Sequence, residues 1–227
     1  MTSASQRVDG LRIAFRAASD PERAVAMARY MRDQFAFFGV PTPERRATQR
    51  RELAAWKPTE QEVVDFAREC WAGDQRELQY AACDVIQRFA KHASPEFLDL
   101  LETLVTTKSW WDSVDALAHA VGSLVFAHPG LVDAMDDWID AGDFWLARVA
   151  IIHQLRFKSA TDSERLFRYC ERRAADPEFF VRKAIGWALR EYAKTDPAAV
   201  RSFVAAHAEV LSSLSRREAL KNLAIHG

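Results

Sequence analysis

Residues 107–118 read TKSWWDSVDALA, residues 144–152 read FWLARVAII, and residues 179–190 read FFVRKAIGWALR. Each stretch puts an aromatic pair (Trp110–Trp111, Phe144–Trp145, Phe179–Phe180) just after a break. Small and apolar residues then follow at helical spacing: Val114–Leu117, Val149–Ile152 and Ala184–Trp187. The pairs lie 34 and 35 residues apart. Glu77–Phe89 matches the helix upstream but lacks the aromatic pair. A two-helix unit recurring every ~35–45 residues marks an α-solenoid, in which stacked units share a continuous core. In such units the aromatic pairs serve first as packing anchors.

Breaks rich in Asp, Pro, Gly and Ser fall near Ser19–Pro21, Gly39–Pro43, Lys57–Pro58, Gly73–Asp74, Ser94–Pro95, Thr106–Lys108, His128–Gly130, Gly142–Asp143, Ala160–Ser163, Asp176–Pro177 and Thr195–Pro197. No segment alternates strictly, and only 8 Gly and 8 Pro punctuate 227 residues. The expectation is an all-α protein of about 11 to 13 helices. They form a HEAT-like α-solenoid of stacked antiparallel helix pairs within a single domain, 1–227, and the second helix of each pair lines a concave groove.

Hydrophobic residues make up 49% and charged residues 28%, which excludes a disordered chain. Met1–Gly10 lacks the basic-then-apolar pattern of a secretory signal, and Arg148 interrupts the apolar stretch Ala147–Ile152, so no membrane association is expected. Cys70, Cys83 and Cys170 are odd in number and have no CxxC spacing, which points to core packing in a reducing compartment. The six histidines (His92, His119, His128, His153, His207 and His226) are dispersed, so no metal and no cofactor are expected.

The net charge of −1 points by itself away from nucleic acid, but the charge is segregated. Five aspartates (Asp133, Asp136, Asp137, Asp140 and Asp143) lie in a span without Lys or Arg. Basic clusters form at Arg45, Arg46, Arg50 and Arg51, at Arg182, Lys183, Arg190 and Lys194, and at Arg216, Arg217 and Lys221. This pattern fits either one basic and one acidic face or plain solvated helix surfaces.

Within 107–118, Ser109 reads as an N-cap and Asp112 as its capping-box partner. Asp115 has no such task. It lies four residues after Trp111 and shares its helix face, so it is either half of a salt bridge or part of a site. His119, four residues further on, reads first as a structural, partly buried histidine. Trp111, Arg148 and Trp187 are separated by 37 and 39 residues, about one repeat each, which predicts a common inner surface. Gly186 costs its helix roughly 1 kcal/mol relative to Ala, and close approach of a backbone or a ligand would explain its presence.

Several long motifs resemble the bacterial alkylpurine DNA glycosylases with HEAT-like repeats, the AlkD-type family. They are Met27–Met31, Phe38–Arg46, Thr107–Asp115, Lys183–Lys194 and the tail Leu214–Lys221. The resemblance implies a monofunctional DNA glycosylase of base-excision repair, without lyase activity. It would hydrolyse cationic N3- and N7-alkylated purines (3-methyladenine and 7-methylguanine) from double-stranded DNA. It implies Asp115 as the catalytic carboxylate, Trp111 and Trp187 at the damaged nucleotide, and Tyr30 and Arg148 assisting. Arg45, Arg46, Lys108, Arg148, Lys183, Arg190, Lys194 and Arg217 are the phosphate candidates. A cytoplasmic bacterial monomer with no obligate protein partner is expected. The alternative is a non-enzymatic repeat scaffold that binds DNA structures or a protein.

Overall fold

A computed structural model describes residues 2–221 and 223. These residues form thirteen α-helices and three short 3-10 turns, and their only β feature is an isolated bridge between Ala36 and Gln75. The chain divides into two compact units, 1–97 and 98–227.

The first unit contains α1 (Ala4–Ala17), α2 (Pro21–Tyr30), α3 (Thr42–Glu52), α4 (Glu60–Ala72) and α5 (Arg76–Phe89). Capping boxes start α1 (Ser3 with Gln6) and α4 (Thr59 with Glu62), and Asp20 caps α2. Helix α1 packs on α3, α4 and α5. Leu11, Phe15, Phe66 and Leu78 are fully buried. The buried carboxylate of Glu77 accepts the backbone N–H groups of Phe38, Gly39 and Val40 at 3.0, 2.9 and 3.2 Å, which ties the 31–41 loop to α5.

Helix α6 (Phe97–Thr106) spans the division. The second unit continues with α7 (Trp111–Ala127), α8 (Val132–Asp140), α9 (Phe144–Ile152), α10 (Ser163–Arg172), α11 (Phe179–Tyr192), α12 (Pro197–Ala206) and α13 (Ser213–Leu220). Helices α7, α9, α11 and α13 pack in that order as one layer. Helix α8 covers α9, α10 leans on α9 and α11, and α12 covers α11 and α13. Every residue from Trp145 to Ile152 is buried, so α9 is the central helix of the unit, and its apolar residues extend all round.

The aromatic pairs do pack across successive repeats within the second unit, as their recurrence suggested. Trp110, Trp145 and Phe180 gather the starts of α7, α9 and α11, with ring centroids 6.1, 5.3 and 4.8 Å apart. Glycine permits the tightest helix contact in this layer. A Cβ on Gly122 of α7 would stand 2.0 Å from the carbonyl oxygen of His153 at the end of α9. The three cysteines are buried and unbridged.

Candidate active site

Ser109 does not cap α7. Its hydroxyl donates 2.6 Å back to the carbonyl of Val105 and closes α6. Trp110 takes the cap position with extended backbone and no side-chain cap bond, so the expected Ser109–Asp112 capping box is not formed. The reason is local: Lys108 has φ +49°, a left-handed conformation that turns Ser109 toward the preceding helix. Asp112 keeps its place in the first turn, where the helix dipole favours a carboxylate.

One turn beyond Trp111, Asp115 meets Arg148 of α9 side-on. Nε donates to Oδ1 at 2.7 Å and Nη2 to Oδ2 at 2.9 Å. The remaining nitrogen of the guanidinium, Nη1, donates 2.5 Å to the carbonyl of Phe180 in the first turn of α11. One side chain therefore joins the three helices that the aromatic motif begins. The side chain of Arg148 is 4% exposed and that of Asp115 is 19% exposed. Burial raises the carboxyl of Asp115 above its ordinary value, Arg148 opposes the shift, and the nearby Asp112 adds to it. The sequence left open whether Asp115 is paired; it is paired bidentately, yet remains partly open to solvent.

His119, one further turn along α7, is half-buried, and its Nδ1 has no hydrogen-bond partner among the described residues. Burial, with Arg156 nearby, pushes its pKa down to about 4, so the ring is neutral at pH 7. It takes the partly buried structural role that its position suggested.

Trp187 is half-buried on α11, and the glycine before it is explained by helix packing. A Cβ on Gly186 would lie 2.5 Å from Glu218 Cβ and 2.9 Å from the carbonyl of Ser215, both on α13. Lys183 and Arg190 flank Trp187 in sequence, and Glu218 bonds both of them.

Arg45 is 3% exposed and donates to Gln49 and Asp84 at 3.0 and 2.9 Å, so its guanidinium faces the interior. Arg46 is exposed and lies 3.4 Å from the same Asp84. Lys194 pairs with Glu191 at 2.7 Å on the surface, Lys108 and Arg217 are exposed, and Tyr30 ends α2 in the first unit with 72% exposure. The acidic span between Leu131 and Ala147, whose sequence fits either an acidic face or solvated helix surfaces, has three of its five aspartates engaged by partners. Asp136 accepts from Arg168 and Tyr169 at 2.8 Å and from Arg165 at 3.4 Å, Asp140 pairs with Arg172, and Asp143 caps α9. The arginines of α10 recur 29 to 32 residues after these acids, a spacing close to the repeat length that the sequence carries. Glu218, 35 residues after Lys183 in an otherwise basic tail, is a partner that sequence reasoning missed.

Among the described residues no group of His, Cys, Asp and Glu is placed to hold a metal ion, and no helix is long and apolar enough to cross a membrane. His226 lies outside the described residues.

Fold and site together define an all-helical protein that holds a partly open carboxylate against a buried guanidinium, one helical turn after a tryptophan. The family model for DNA alkylation repair enzymes matches residues 11–223, and the chain belongs to that family. It is similar to a solved structure described as a predicted DNA alkylation repair enzyme from Enterococcus faecalis. That likeness has 34% identity and a TM-score of 0.84 over 91% of this chain and 97% of the other. A solved protein of Streptococcus mutans UA159, at 17% identity and a TM-score of 0.62 over 88% and 98% of the two chains, shares the fold. No curated protein matches the chain.

Proposed function

We propose that this chain is a monofunctional DNA glycosylase that hydrolyses the N-glycosidic bond of cationic N3- and N7-alkylated purines, 3-methyladenine and 7-methylguanine, in double-stranded DNA. It would open base-excision repair as a HEAT-like-repeat domain over residues 1–227, working as a monomer without a cofactor. The observation that carries the reading is the Asp115–Arg148 pair, a carboxylate fixed at both oxygens yet partly open to solvent.

An alkylated purine already carries positive charge. When the bond from C1′ to the base breaks, the electron pair goes to the base, which leaves neutral, and no general acid is needed. The developing charge lies on the sugar. A pre-oriented carboxylate stabilises that oxocarbenium-like centre and aligns the water that attacks it, as in sugar hydrolysis. Burial strengthens its field, and Arg148 removes the freedom it would otherwise spend in turning. The faces of Trp111 and Trp187 favour a cationic base by ~0.5–2 kcal/mol each, and neutral purines gain less. Lys183 and Lys194 are paired with carboxylates, Glu218 and Glu191, which suits charged anchors rather than an amine nucleophile and favours hydrolysis without strand cleavage.

The phosphate contacts are assigned to Arg46, Lys108, Lys183, Arg190, Lys194 and Arg217, with Arg45 as the buried support beneath Arg46. Tyr30, exposed at the end of α2, is assigned to the damaged nucleotide. One observation favours a second reading, a DNA-binding scaffold without hydrolysis: Arg148 already occupies both oxygens of Asp115, as a structural strut would. Release of 7-methylguanine from methylated duplex decides between them. The native chain should release it, and Asp115→Asn should bind the duplex but excise far more slowly. No release by the native chain leaves the scaffold.

A further inference from the structure

Lys183, Trp187 and Arg190 are spaced four and three residues apart, so they form one stripe along α11. Glu218 on α13 is 9% exposed and reaches both cations: Oε1 lies 2.9 Å from Lys183 Nζ, and Oε2 accepts from Arg190 Nη1. The hydrogen bond from Lys183, helped by Arg190 and opposed by burial, holds its carboxyl below the ordinary range, so it is ionised at neutral pH. Two cations share one anion, and the stripe presents one net positive charge where the sequence shows two. Helix α13 is also fixed in place. Ser215 Oγ donates 2.9 Å to the carbonyl of Arg182, and Gly186 brings the two helices together beside Trp187.

We propose that Glu218 is a positioning residue that tempers the grip of α11 on the DNA sugar–phosphate backbone: by holding Lys183 and Arg190 on either side of Trp187, it withholds one cation from the phosphates and keeps the indole in place. This inference rests on the glycosylase reading above. Undamaged duplex is bound almost wholly through its phosphates, so one extra free cation strengthens binding to every site, damaged or not. An enzyme that searches for rare lesions then loses time on sound DNA.

The experiment is Glu218→Gln, a near-isosteric neutral change, assayed beside the parent for binding to undamaged duplex across a salt series and for excision from methylated duplex. The variant should bind undamaged duplex ~3–10-fold more tightly near 0.1 M salt, with a log–log salt slope steeper by about one. KM and kcat for excision should fall together, whereas a merely structural defect weakens binding. Lys183→Gln combined with Glu218→Gln restores the net charge of the stripe and should return undamaged-duplex affinity to within ~2-fold of the parent. Parent affinity and slope in Glu218→Gln overturn the inference, as does weaker binding by a folded variant. Should that variant melt below the assay temperature, Lys183→Gln alone gives the reading: a slope shallower by about one supports the inference and an unchanged slope overturns it. A parent that neither binds nor excises overturns the glycosylase reading instead, so the two failures are distinct.

Discussion

Two buried Arg–Asp pairs, one in each unit, make an instructive contrast. Arg45–Asp84 joins α3 to α5, and Arg148–Asp115 joins α9 to α7; in both, the side chains are 4% and 19% exposed. Burial and residue type therefore do not separate them, but their surroundings do. Asp84 has two cations, Arg45 at 2.9 Å and Arg46 at 3.4 Å, and Arg45 also bonds Gln49 while its Nε has no partner among the described residues. Among the described residues Asp115 has one cation, held at both oxygens, with Asp112 close enough to push its carboxyl further up. An acid with a single, fully occupied partner and a like charge nearby still favours another positive charge. An acid shared by two guanidiniums is saturated. That difference makes Asp115 the candidate for a cationic nucleotide and Asp84 a strut.

The largest expected effect separates the two directly. Asp115→Asn should slow 7-methylguanine release by roughly a thousandfold, ~4 kcal/mol of transition-state electrostatics, with duplex binding kept within ~3-fold. Asp84→Asn should leave release by the folded enzyme nearly unchanged and lower only the melting temperature; the reverse pattern would end the assignment. Next come the arginines. Arg148→Ala strands the Asp115 carboxylate and should cost ~3 kcal/mol in denaturant unfolding, whereas Arg45→Ala leaves Asp84 its contact with Arg46 and should cost less; only Arg148→Ala should impair excision by enzyme still folded. If both spare catalysis, the two pairs are equivalent after all.

A pH scan then probes the second unit. His153 is 2% exposed, its Nδ1 lies 2.7 Å from the carbonyl of Ala150, and burial holds its pKa at about 4. The unfolded chain takes up a proton below the ordinary value of 6.5, whereas the folded chain does so only near 4. Stability is therefore lost as pH falls through that window, by about 2 kcal/mol between pH 6.5 and 5. Urea unfolding should show this slope, to which His119, lowered to the same value, adds its own share, so His153→Asn should remove about half of the total. Gly186→Ala should be destabilising by about 1–2 kcal/mol although alanine is the better helix former, since its Cβ would meet α13. A stabilised variant would show that α13 yields there. Smallest of all in stability, Lys194→Gln at its exposed pair with Glu191 should leave folding unmoved and weaken duplex binding only by the ~3–10-fold of one lost phosphate contact near 0.1 M salt.

Most helix boundaries were legible because Gly, Pro and the capping Asp and Ser act on their own neighbourhood: Asp20, Asp143, Asp162 and Asp196 each cap the helix that the breaks announced. Two boundaries were not legible. Helix α2 ends before Arg32 and Asp33, both at positive φ, and α12 ends at Ala206 in a segment without Gly or Pro. Asp33 alone, and Ser212 with Ser213 beyond Ala206, mark a break too weakly to fix where the preceding helix ends without Gly or Pro beside them.

Within the candidate site, the sequence by itself placed Trp111 and Asp115 on one face of α7 and set Arg148 and Trp187 one and two repeats beyond. Those relations follow from the geometry of a single helix and from the period of the repeat. Only the tertiary structure decided which charge takes which partner: Asp115 with Arg148, Glu218 with Lys183 and Arg190, and Asp136 with Arg165 and Arg168. These partners stand 28 to 35 residues apart on different helices. Hydrophobic period records which face of a helix is buried, but a salt bridge needs two side chains within about 4 Å, and the crossing of the helices sets that distance.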